Sequence, residues 1–454
     1  MALTAVILAA GKGTRMKSAL PKVLHKIANK PIVEHIIETV QSLDCESINL
    51  VYGHGAEQLE STLAAHQLNW CLQQEQLGTG HAVMQALPYI DDTDDVLILV
   101  GDAPLISADT LHALIKAKKT APLALLTVNM ADPAGMGRII RDNGNITAIV
   151  EHKDATDEQR QIKEINTGIM IMGGADLKRW LADLSNNNAQ SEYYLTDVIA
   201  MAADEGKTIG SAQPFWDKEV EGINNRLQLA NLERALQQKI AEGLMLEGVT
   251  LADPHRIDVR GELSVGTDVF IDVNAVFEGR VSLGDNVKIG PNCVLKDCSI
   301  ASNTTIEAFS HIQDAFVGES CNIGPYARLR PGSVLDNKAK IGNFVETKKA
   351  HIGEGSKVNH LSYIGDAELG ENVNIGAGTI TCNYDGVNKS KTTIGNDVFV
   401  GSNSSLVAPI KLGHSTIVGA GSIITKNVAD EDLAISRSRQ RNISGWKRPV
   451  KKDK

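Results

Sequence analysis

The chain has 454 residues, 43% of them hydrophobic and 22% charged, which is the composition of a globular protein of about two or three domains. Its formal net charge of −10 disfavours a nucleic-acid-binding surface, and six cysteines without a CxxC pair argue against a zinc site or a disulfide framework. No apolar run approaches the ~20 residues of a membrane-spanning helix, and the first residues lack the features of a signal peptide. We therefore expect a cytoplasmic protein that binds neither nucleic acid nor a membrane.

The first 225 residues alternate short apolar runs with segments of helical periodicity. Strands are predicted over residues 4–10, 47–52, 69–73, 95–100 and 123–129, and helices over residues 31–43, 81–87 and 109–118. This alternation is typical of a parallel sheet covered by helices on both faces. In such sheets ligands bind at the carboxyl ends of the strands, where we expect the chemistry.

One long helix follows, over residues 226–247. Its leucines and isoleucines recur at spacings of three and four and form a single apolar stripe: Leu229, Leu232, Leu236, Ile240 and Leu244. We interpret it as a connection between domains and predict a first domain over residues 1–226, a helical linker over 227–247 and a second domain over 248–454.

The second domain carries an internal repeat. An aliphatic residue recurs every six positions, at Val259, Val265, Ile271, Leu283, Ile289 and Leu295, and again at Ile394, Val400, Leu406, Leu412, Val418 and Ile424. A period of six is too short for a helical repeat, and three hexads make one triangular coil of a parallel β-helix with the aliphatic residue inward. Glycine, which permits tight corners, is enriched here, with 23 of the 40 glycines from Gly248 onward.

The repeat is interrupted once. Ile375 and Ile394 are nineteen residues apart, which is not a multiple of six, so thirteen extra residues must leave the coil as a loop around residues 381–391. Loops that leave a regular scaffold often carry function.

A glycine-rich turn follows the first predicted strand, with the sequence GKGTRM at residues 11–16. It lacks the last glycine of the dinucleotide-binding fingerprint and the serine or threonine of a Walker A motif. Its backbone N–H groups suit phosphates, and Lys12, Arg15 and Lys22 supply positive charge. A solvated basic loop explains the turn alone equally well.

The longer string LAAGKGTRM, followed by LPK at residues 20–22, resembles the signature of sugar-1-phosphate nucleotidyltransferases. Further matches occur in family order: Gln73, QLGTG at 76–80, GDAPL at 101–105, Gly137-Arg138, Glu151, NTG at 166–168, YLTD at 194–197 and EGINNR at 221–226. With the repeat half, nearly the whole chain resembles the bacterial bifunctional N-acetylglucosamine-1-phosphate uridyltransferase/glucosamine-1-phosphate N-acetyltransferase family. Val100 and Ser191 stand where that family often has Tyr and Gly, and neither change removes a charged or metal-binding group.

For the first domain, the resemblance implies a Rossmann-like nucleotidyltransferase that transfers UMP from UTP to N-acetylglucosamine-1-phosphate and releases pyrophosphate. The product would be UDP-N-acetylglucosamine, a precursor for peptidoglycan and lipopolysaccharide. The resemblance assigns Arg15 and Lys22 to the phosphates. It assigns Gln73, Gly78 and Thr79 to the uracil, and Gly137, Glu151, Asn166 and Thr196 to the amino sugar. Leu8, Ala9, Ala10, Gly11, Val100 and Gly101 complete the predicted substrate-binding set.

Asp102 follows the apolar run 96–100 and should lie at the carboxyl end of a strand. A hard carboxylate there suits Mg²⁺, although an aspartate that caps the next helix is an alternative. The resemblance implies Asn224 as the second metal ligand and as a substrate contact, and the sequence alone does not separate it from Asn225. Nucleotidyl transfer by in-line attack of the sugar phosphate needs no protein nucleophile.

Polar and aromatic residues interrupt the repeat half near the predicted loop: Arg330, Lys348, His360, Tyr363, Asn374, Asn383, Tyr384 and Lys389. Acetyl transfer from a thioester to an amine benefits from a base that titrates near neutrality, for which His360 is the candidate. A lone histidine is more often a surface residue. The resemblance of KVNHLSYIGD at residues 357–366 favours the base.

The resemblance also assigns ligands in the second domain. Arg330 and Lys348 would bind the phosphate of glucosamine-1-phosphate, and Tyr363 and Asn374 would orient the sugar. Acetyl-CoA would bind Ala377, Asn383, Tyr384, Ser402, Ala420 and Arg437. The tail over residues 437–454 has eight Lys or Arg against Asp453, which suits either a solvated tail or attraction of CoA phosphates. The family further implies a left-handed β-helix and a homotrimer.

Two other functions stay open from the sequence. A monofunctional sugar-1-phosphate nucleotidyltransferase with a regulatory or oligomerising β-helix would leave His360 and the loop residues Asn383 and Tyr384 without a role. A non-enzymatic scaffold for wall synthesis would leave Lys22 and Asp102 unexplained.

Overall fold

The computed structural model describes residues 2–53 and 55–451 of the chain. The chain divides into two compact units, Met1–Leu236 and Gln237–Lys454. Three residues of the basic tail, Lys452, Asp453 and Lys454, lie outside the described residues.

The first unit is an α/β structure. Its strands are Leu3–Leu8, Lys26–Ile27, Lys30–Pro31, Ser47–Tyr52, Asn69–Leu72, Asp95–Val100, Leu123–Asn129, Arg138–Asp142, Asn145–Val150, Glu164–Gly173 and Ile209–Ala212. Its α-helices are Ile32–Gln41, Ala56–Thr62, Thr79–Met84, Ala108–Lys118, Asp157–Arg160, Gly174–Ala182 and Asp197–Asp204. Short 3₁₀ helices cover Thr14–Met16, Lys22–Leu24, Leu87–Tyr89 and Asp217–Val220.

The central sheet of this unit is parallel around its first strand. Leu3–Leu8 pairs in parallel with Ser47–Tyr52 on one side and with Asp95–Val100 on the other. The strand Glu164–Gly173 then inserts antiparallel between Asp95–Val100 and Leu123–Asn129. The predicted parallel core is therefore present, and the sheet also contains three antiparallel strands that the sequence analysis did not predict, Arg138–Asp142, Asn145–Val150 and Glu164–Gly173.

The predicted connecting helix is present as Arg226–Leu246. In the first unit, Leu232 is buried beside Met16 and Ile223. In the second unit, Leu244 joins the core of the β-helix. The apolar stripe predicted from the spacing therefore packs along both halves of the helix.

Gln237 fixes the start of the repeat within the second unit. Its side chain donates to the Val259 carbonyl at 2.8 Å and accepts from the Val259 N–H at 2.7 Å. The buried Gln237 amide thus satisfies the N–H and the C=O of Val259 at the open end of the solenoid. Elsewhere in the solenoid, a neighbouring strand supplies these hydrogen bonds.

The second unit is a parallel β-helix whose strands lie in two sheets. One sheet contains Thr250–Leu251, Phe270–Ile271, Lys288–Ile289, Thr305–Ile306, Asn322–Ile323, Lys340–Asn343, Lys357–His360, Asn374–Ile375, Phe399–Val400, Ile417–Val418 and Leu433–Ala434. The other bends along its length and contains Ile257–Val265, Ala275–Leu283, Val294–Ile300, His311–Gln313, Ala315–Val317, Arg328–Leu329, Ser333–Leu335, Glu346–Ile352, Tyr363–Leu369, Ile380–Cys382, Thr392–Ile394, Ser405–Val407, Ile410–Leu412 and Ile423–Ile424.

The register of these sheets matches the sequence repeat. Ile289 pairs with Ile306 and Ile306 with Ile323, one coil further along the chain each time. These three side chains are fully buried, and most of the aliphatic repeat positions share the same core. The periodicity therefore predicted correctly which side chains point inward.

The loop begins later than predicted. Ile380–Cys382 is a strand of the coil. Thr381 is fully buried within it, and its hydroxyl is satisfied there by accepting the Gly365 N–H at 2.7 Å. The segment that leaves the coil spans residues 383–391, where Tyr384 and Lys389 form an isolated antiparallel bridge. Within the described residues, no helix has the length and apolar character needed to cross a membrane.

Candidate active site

A cavity of about 270 Å³ lies at the carboxyl ends of the strands Leu3–Leu8 and Asp95–Val100 in the first unit. It is lined by Leu8, Ala9, Ala10, Gly11, Lys22, Val23, Gln73, Gln76, Gly78, Thr79, Ala82, Val100, Asp102 and Glu192. Most of the residues assigned to UTP thus line one cavity. A larger groove of about 780 Å³ on the β-helix contains none of the predicted site residues.

Two glycines near this cavity pack closely against neighbouring backbone. A Cβ on Gly101 would lie 2.8 Å from the Leu8 carbonyl oxygen, with which the Gly101 N–H bonds at 2.8 Å. Gly78 has φ +114, and a Cβ there would lie 2.6 Å from the Tyr193 carbonyl oxygen. Any side chain at either position would displace backbone, so both glycines are required by the local packing.

Three polar side chains converge beside the cavity. Lys22 Nζ lies 2.5 Å from Asp102 Oδ2 and 3.2 Å from Asn224 Oδ1. The side chains of Lys22 and Asp102 are only 11% and 23% exposed, so their charges interact with little screening by solvent. Two oxygen donors therefore face one cationic position.

Hydrogen bonds distinguish the surroundings of the residues behind two alternatives that the sequence left open. Asn225 Oδ1 accepts the Gln228 N–H at 2.9 Å in the first turn of the long helix, whereas Asn224 faces Lys22. Asp102 is not a helix cap, because Ser107 caps the helix Ala108–Lys118 by accepting the Thr110 N–H. Asp102 and Asn224 thus share Lys22 as a side-chain partner.

Arg15 stands apart from this group. It lies in the short 3₁₀ helix Thr14–Met16, it is exposed, and it does not line the cavity. The structure therefore brings Lys22 to the cavity but not Arg15.

The four residues assigned to the amino sugar do come together. Thr196 Oγ1 donates to Glu151 Oε1 at 3.3 Å, and the Asn166 N–H bonds the Gly137 carbonyl at 2.9 Å. A Cβ on Gly137 would lie 3.2 Å from Glu151 Oε1, so the missing side chain leaves the carboxylate accessible.

Glu151 has a perturbed acidity. Burial raises the pKa of its carboxyl above the ordinary value, the Thr196 hydrogen bond opposes this, and the charges of Asp154 and Asp197 add to it. The fold therefore holds a carboxylate whose ionised form costs stability at neutral pH.

Glu151→Gln is expected to raise the Tm of the first unit at pH 8 by a few degrees. The same substitution should lower the rate of uridyl transfer to N-acetylglucosamine-1-phosphate. Because the pKa of Glu151 is raised in the folded state, its neutral carboxyl contributes stability that is fully present below about pH 4. This contribution is lost as the pH rises through the raised pKa. Glutamine does not titrate, so its advantage should grow with pH. Thermal unfolding at pH 5 and pH 8, followed by the fluorescence of Trp70, Trp180 and Trp216, measures this; an equal shift at both pH values would contradict it.

Gln76 and Glu192 line the cavity but were not predicted as site residues. The Gln76 side-chain nitrogen is buried and has no hydrogen-bond partner among the described residues. Gln76 lies in the QLGTG motif, so the sequence itself contained a signal for it. Glu192 comes from a segment distant in the chain, and nothing local marks it.

The second unit has a cluster around its loop. Asn383 Nδ2 donates to Asp366 Oδ2 at 2.5 Å and lies 3.5 Å from the Tyr363 hydroxyl. The neighbouring Lys348 ammonium lowers the pKa of Lys389, and Asp366 and Tyr363 oppose that effect. Two adjacent ammonium groups favour an anion between them.

Arg330 belongs to the same face. Leu329 pairs with Thr347, so Arg330 stands opposite Lys348 on the next coil, and its guanidinium bonds Glu346 Oε1 at 2.7 Å. Asn374 is half-buried on the other sheet, opposite Lys357, and makes no side-chain hydrogen bond within the described residues. The structure therefore groups Arg330, Lys348 and Tyr363 but does not join Asn374 to them.

His360 lies at a corner of the β-helix and is exposed. Its Nδ1 is 2.7 Å from Asn343 Oδ1 on the preceding coil. An amide oxygen only accepts hydrogen bonds, so Nδ1 carries the proton and the lone pair of Nε2 points away from Asn343.

The residues assigned to acetyl-CoA follow the same corner, coil by coil. The carbonyls of His360, Ala377 and Ser402 accept the N–H groups of Gly378, Asn403 and Gly421, and the Ala420 carbonyl accepts from Arg437 at 2.6 Å. Tyr384 is exposed on the loop, where its hydroxyl donates to the Gly386 carbonyl at 2.5 Å.

Comparison with known proteins finds matches in both units of the chain. The MobA-like NTP transferase domain matches residues 5–142, the GMPPB C-terminal domain residues 259–343, and the Bacterial transferase hexapeptide (six repeats) residues 391–426. The "Bifunctional protein GlmU" of Pseudoalteromonas atlantica is 65% identical over 451 residues, covering 99% of this chain and 100% of the relative. The protein of the same name from Idiomarina loihiensis is 59% identical over 453 residues, covering 100% of this chain and 99% of the relative.

A solved UDP-glucose pyrophosphorylase complexed with UDP-glucose covers 53% of this chain and 100% of its own, with 18% identity and a TM-score of 0.44, too partial a likeness to support a conclusion.

Fold and sites together define a nucleotidyltransferase joined to a hexapeptide-repeat transferase with a left-handed β-helix. With relatives 65% and 59% identical over essentially the full chain, the protein belongs to the family of bifunctional GlmU proteins. It is an enzyme with uridyltransferase and acetyltransferase activities, so the bifunctional prediction is confirmed over the monofunctional alternative.

Proposed function

We propose that the second unit acetylates glucosamine-1-phosphate with acetyl-CoA and that the first unit couples the product to UTP. The products are UDP-N-acetylglucosamine, for peptidoglycan and lipopolysaccharide precursors, and pyrophosphate. For the first unit, the convergence of Lys22, Asp102 and Asn224 at the carboxyl end of the sheet carries the proposal.

Asp102 and Asn224 are assigned to Mg²⁺. Their side-chain oxygens both approach the Lys22 ammonium, so the position already attracts a cation, and oxygen donors of this kind are those that Mg²⁺ prefers. When bound, the ion would neutralise charge that develops on the phosphates. Only two protein ligands are needed, because water and substrate phosphates complete the coordination.

The cavity residues position the reactants. We assign Gln73, Gly78 and Thr79 to the uracil, Lys22 to the phosphates of UTP, and Glu151 with its neighbours to the acetylated sugar. A phosphate oxygen of the sugar attacks the α-phosphorus of UTP in line, a P–O bond forms, and the bond to the β-phosphate oxygen breaks. Arg15 keeps its assignment to the phosphates because it lies in the glycine-rich turn.

The second unit performs acyl transfer. The sugar amine attacks the thioester carbonyl, the C–N bond forms, the C–S bond breaks, and His360 Nε2 takes the proton that the amine loses. The hydrogen bond from Nδ1 to Asn343 supports this role, since it leaves the lone pair on Nε2. Arg330, Lys348 and Lys389 are assigned to the substrate phosphate, and Tyr363 and Asn374 to its sugar ring.

Acetyl-CoA is assigned to the corner residues Ala377, Ser402 and Ala420, to the loop residues Asn383 and Tyr384, and to Arg437. The stacking of these residues along successive coils supports one extended site for a long ligand. The exposed basic tail would attract the CoA phosphates.

We further propose a homotrimer in the cytoplasm. Phe309, Tyr326 and Phe344 are each about half exposed and stack along one corner, with ring centroids 4.9 and 5.2 Å apart, an apolar surface of the kind that protein partners cover. All six cysteines are free thiols, as reducing compartments keep them.

The test is an assay by mass spectrometry with glucosamine-1-phosphate, acetyl-CoA, UTP and Mg²⁺, in which each component is omitted in turn. Omission of UTP should leave N-acetylglucosamine-1-phosphate as the product, and omission of acetyl-CoA should prevent UDP-N-acetylglucosamine formation. UDP-sugar formed without acetyl-CoA would contradict the proposed order.

A further inference from the structure

The side-chain amide of Gln73 is held by two hydrogen-bond acceptors. Its Nε2 lies 3.1 Å from the Gly78 carbonyl oxygen and 3.1 Å from Nδ1 of His81. Gln73 is only 3% exposed, yet it lines the cavity of the first unit. The orientation of this amide therefore decides which of its ends meets a ligand.

The two contacts fix that orientation. A carbonyl oxygen only accepts, so the atom facing Gly78 must be the NH₂ group, and its second hydrogen is directed to His81 Nδ1. Both amide hydrogens are then used within the protein. The Oε1 atom, which has no hydrogen-bond donor among the described residues, is the end left for the cavity.

The contact with Gln73 indicates one tautomer of His81. A ring nitrogen that accepts from Gln73 has its lone pair there, so the proton of the neutral ring is on Nε2. Gln85 Nε2 also approaches the ring, at 3.3 Å from His81 Nε2, but it donates to the His81 carbonyl at 2.9 Å. The contact with Gln73 is the shorter of the two ring contacts.

We propose that His81 is a positioning residue for base selection, which rests on the proposed placement of uracil against Gln73. By accepting one amide hydrogen, His81 holds the Gln73 carbonyl toward the base. Uracil presents N3–H, a donor that this oxygen accepts, whereas N3 of cytosine is an acceptor that it repels. His81 thereby favours UTP over CTP without touching the nucleotide.

The experiment compares kcat/KM for UTP and CTP at one concentration of N-acetylglucosamine-1-phosphate. His81→Phe keeps a flat ring but removes the acceptor, so the amide loses one of its two anchors. The UTP/CTP ratio should fall roughly 3- to 10-fold, mainly through a higher KM for UTP and with kcat little changed. His81→Leu is a second removal of the acceptor in case the larger ring disturbs folding.

His81→Asn is the matched rescue, because its amide oxygen reaches the position of Nδ1 and should preserve most of the ratio. Gln85→Ala removes the other contact of the ring and should leave the ratio unchanged. Far-ultraviolet circular dichroism and the thermal unfolding of the first unit report that each full-length variant is folded there.

Two failures are distinguishable. If Gln73→Ala lowers the UTP/CTP ratio but His81→Phe and His81→Leu do not, the positioning role of His81 is overturned while the uracil site stands. If Gln73→Ala changes neither the KM for UTP nor the ratio, the proposed uracil site itself is wrong. A wild-type enzyme that uses CTP as well as UTP would also overturn the inference.

Discussion

Asp102→Asn is expected to lower UDP-N-acetylglucosamine formation by about a thousandfold or more while acetyl transfer stays nearly intact. The substitution keeps the shape of the side chain but removes the charge that pairs with Lys22 and that we assign to Mg²⁺. Loss of a metal ligand removes several kcal/mol of transition-state stabilisation, and each factor of ten in rate corresponds to about 1.4 kcal/mol. Pyrophosphate release and thiol release, measured on the same preparation, separate the two activities.

Asp109→Asn is the matched control. Asp109 is exposed in the first turn of the helix Ala108–Lys118, close to Asp102 in the chain but away from the cavity lining. It should keep both activities. If a folded Asp102→Asn protein lost acetyl transfer as strongly as uridyl transfer, the assignment of one reaction to each unit would be wrong.

The parts of the structure that were predictable from the sequence are those governed by local periodicity. The run that became Asp95–Val100 is a continuous apolar segment, so both its conformation and the position of Asp102 after it could be predicted. The β-helix was predictable for the same reason, because each inward side chain repeats one hexad later. Thr381 shows the limit of prediction from periodicity. A buried polar side chain stands at the repeat position where an aliphatic one was expected, so the sequence pattern ended before the coil did.

Contacts between distant residues explain most of what was not predictable. Lys22 and Asn224 are separated by 202 positions, and only their meeting at Asp102 distinguishes Asn224 from Asn225. The antiparallel strand Glu164–Gly173 depends on pairing partners from two other segments. The role of His81 is different again, since Gln73 is near in sequence but the direction of its amide is a property of the folded cavity.

The two proposed sites would bind related sugar phosphates with different electrostatics. In the first unit Lys22 is paired with a carboxylate, so its charge is partly neutralised before substrate binds. In the second unit Lys348 and Lys389 face each other, and their mutual repulsion lowers the pKa of Lys389. A phosphate bound between the two ammonium groups would offset their repulsion. The free-energy cost of holding the two lysines close together should therefore be smaller with substrate bound than without it.

His360→Ala is expected to reduce acetyl transfer by about 10²–10⁴-fold, the usual cost of removing a positioned general base, and to leave uridyl transfer unchanged. The argument rests on the 2.7 Å contact of His360 Nδ1 with Asn343 Oδ1, which leaves Nε2 as the proton acceptor. Release of CoA thiol, measured with glucosamine-1-phosphate and acetyl-CoA, gives the rate. UDP-N-acetylglucosamine formation from added N-acetylglucosamine-1-phosphate and UTP gives the control activity.

His351→Ala is the matched histidine control for this experiment. His351 is exposed on the same β-helix, its Nε2 lies 2.8 Å from Asp336 Oδ2, and neither residue is among those assigned to glucosamine-1-phosphate or acetyl-CoA. Removal of that surface contact should change acetyl transfer little, because even a charged pair at an exposed position contributes at most about 1 kcal/mol to stability. Equal losses in the two variants would indicate damage to the β-helix instead of loss of a base.

The pH profile of kcat/KM for acetyl transfer distinguishes a general base from a residue with a merely structural role. A base must be unprotonated to act, so kcat/KM for wild-type acetyl transfer should fall on the acid side of its profile, and the part of this fall due to His360 should vanish in His360→Ala. The sugar amine also titrates, so both enzymes must be measured with the same substrate and buffers, and only the difference between their profiles is assigned to the protein. If the two profiles are superimposable after scaling, or if His360→Ala retains nearly normal acetyl transfer, another group takes the proton.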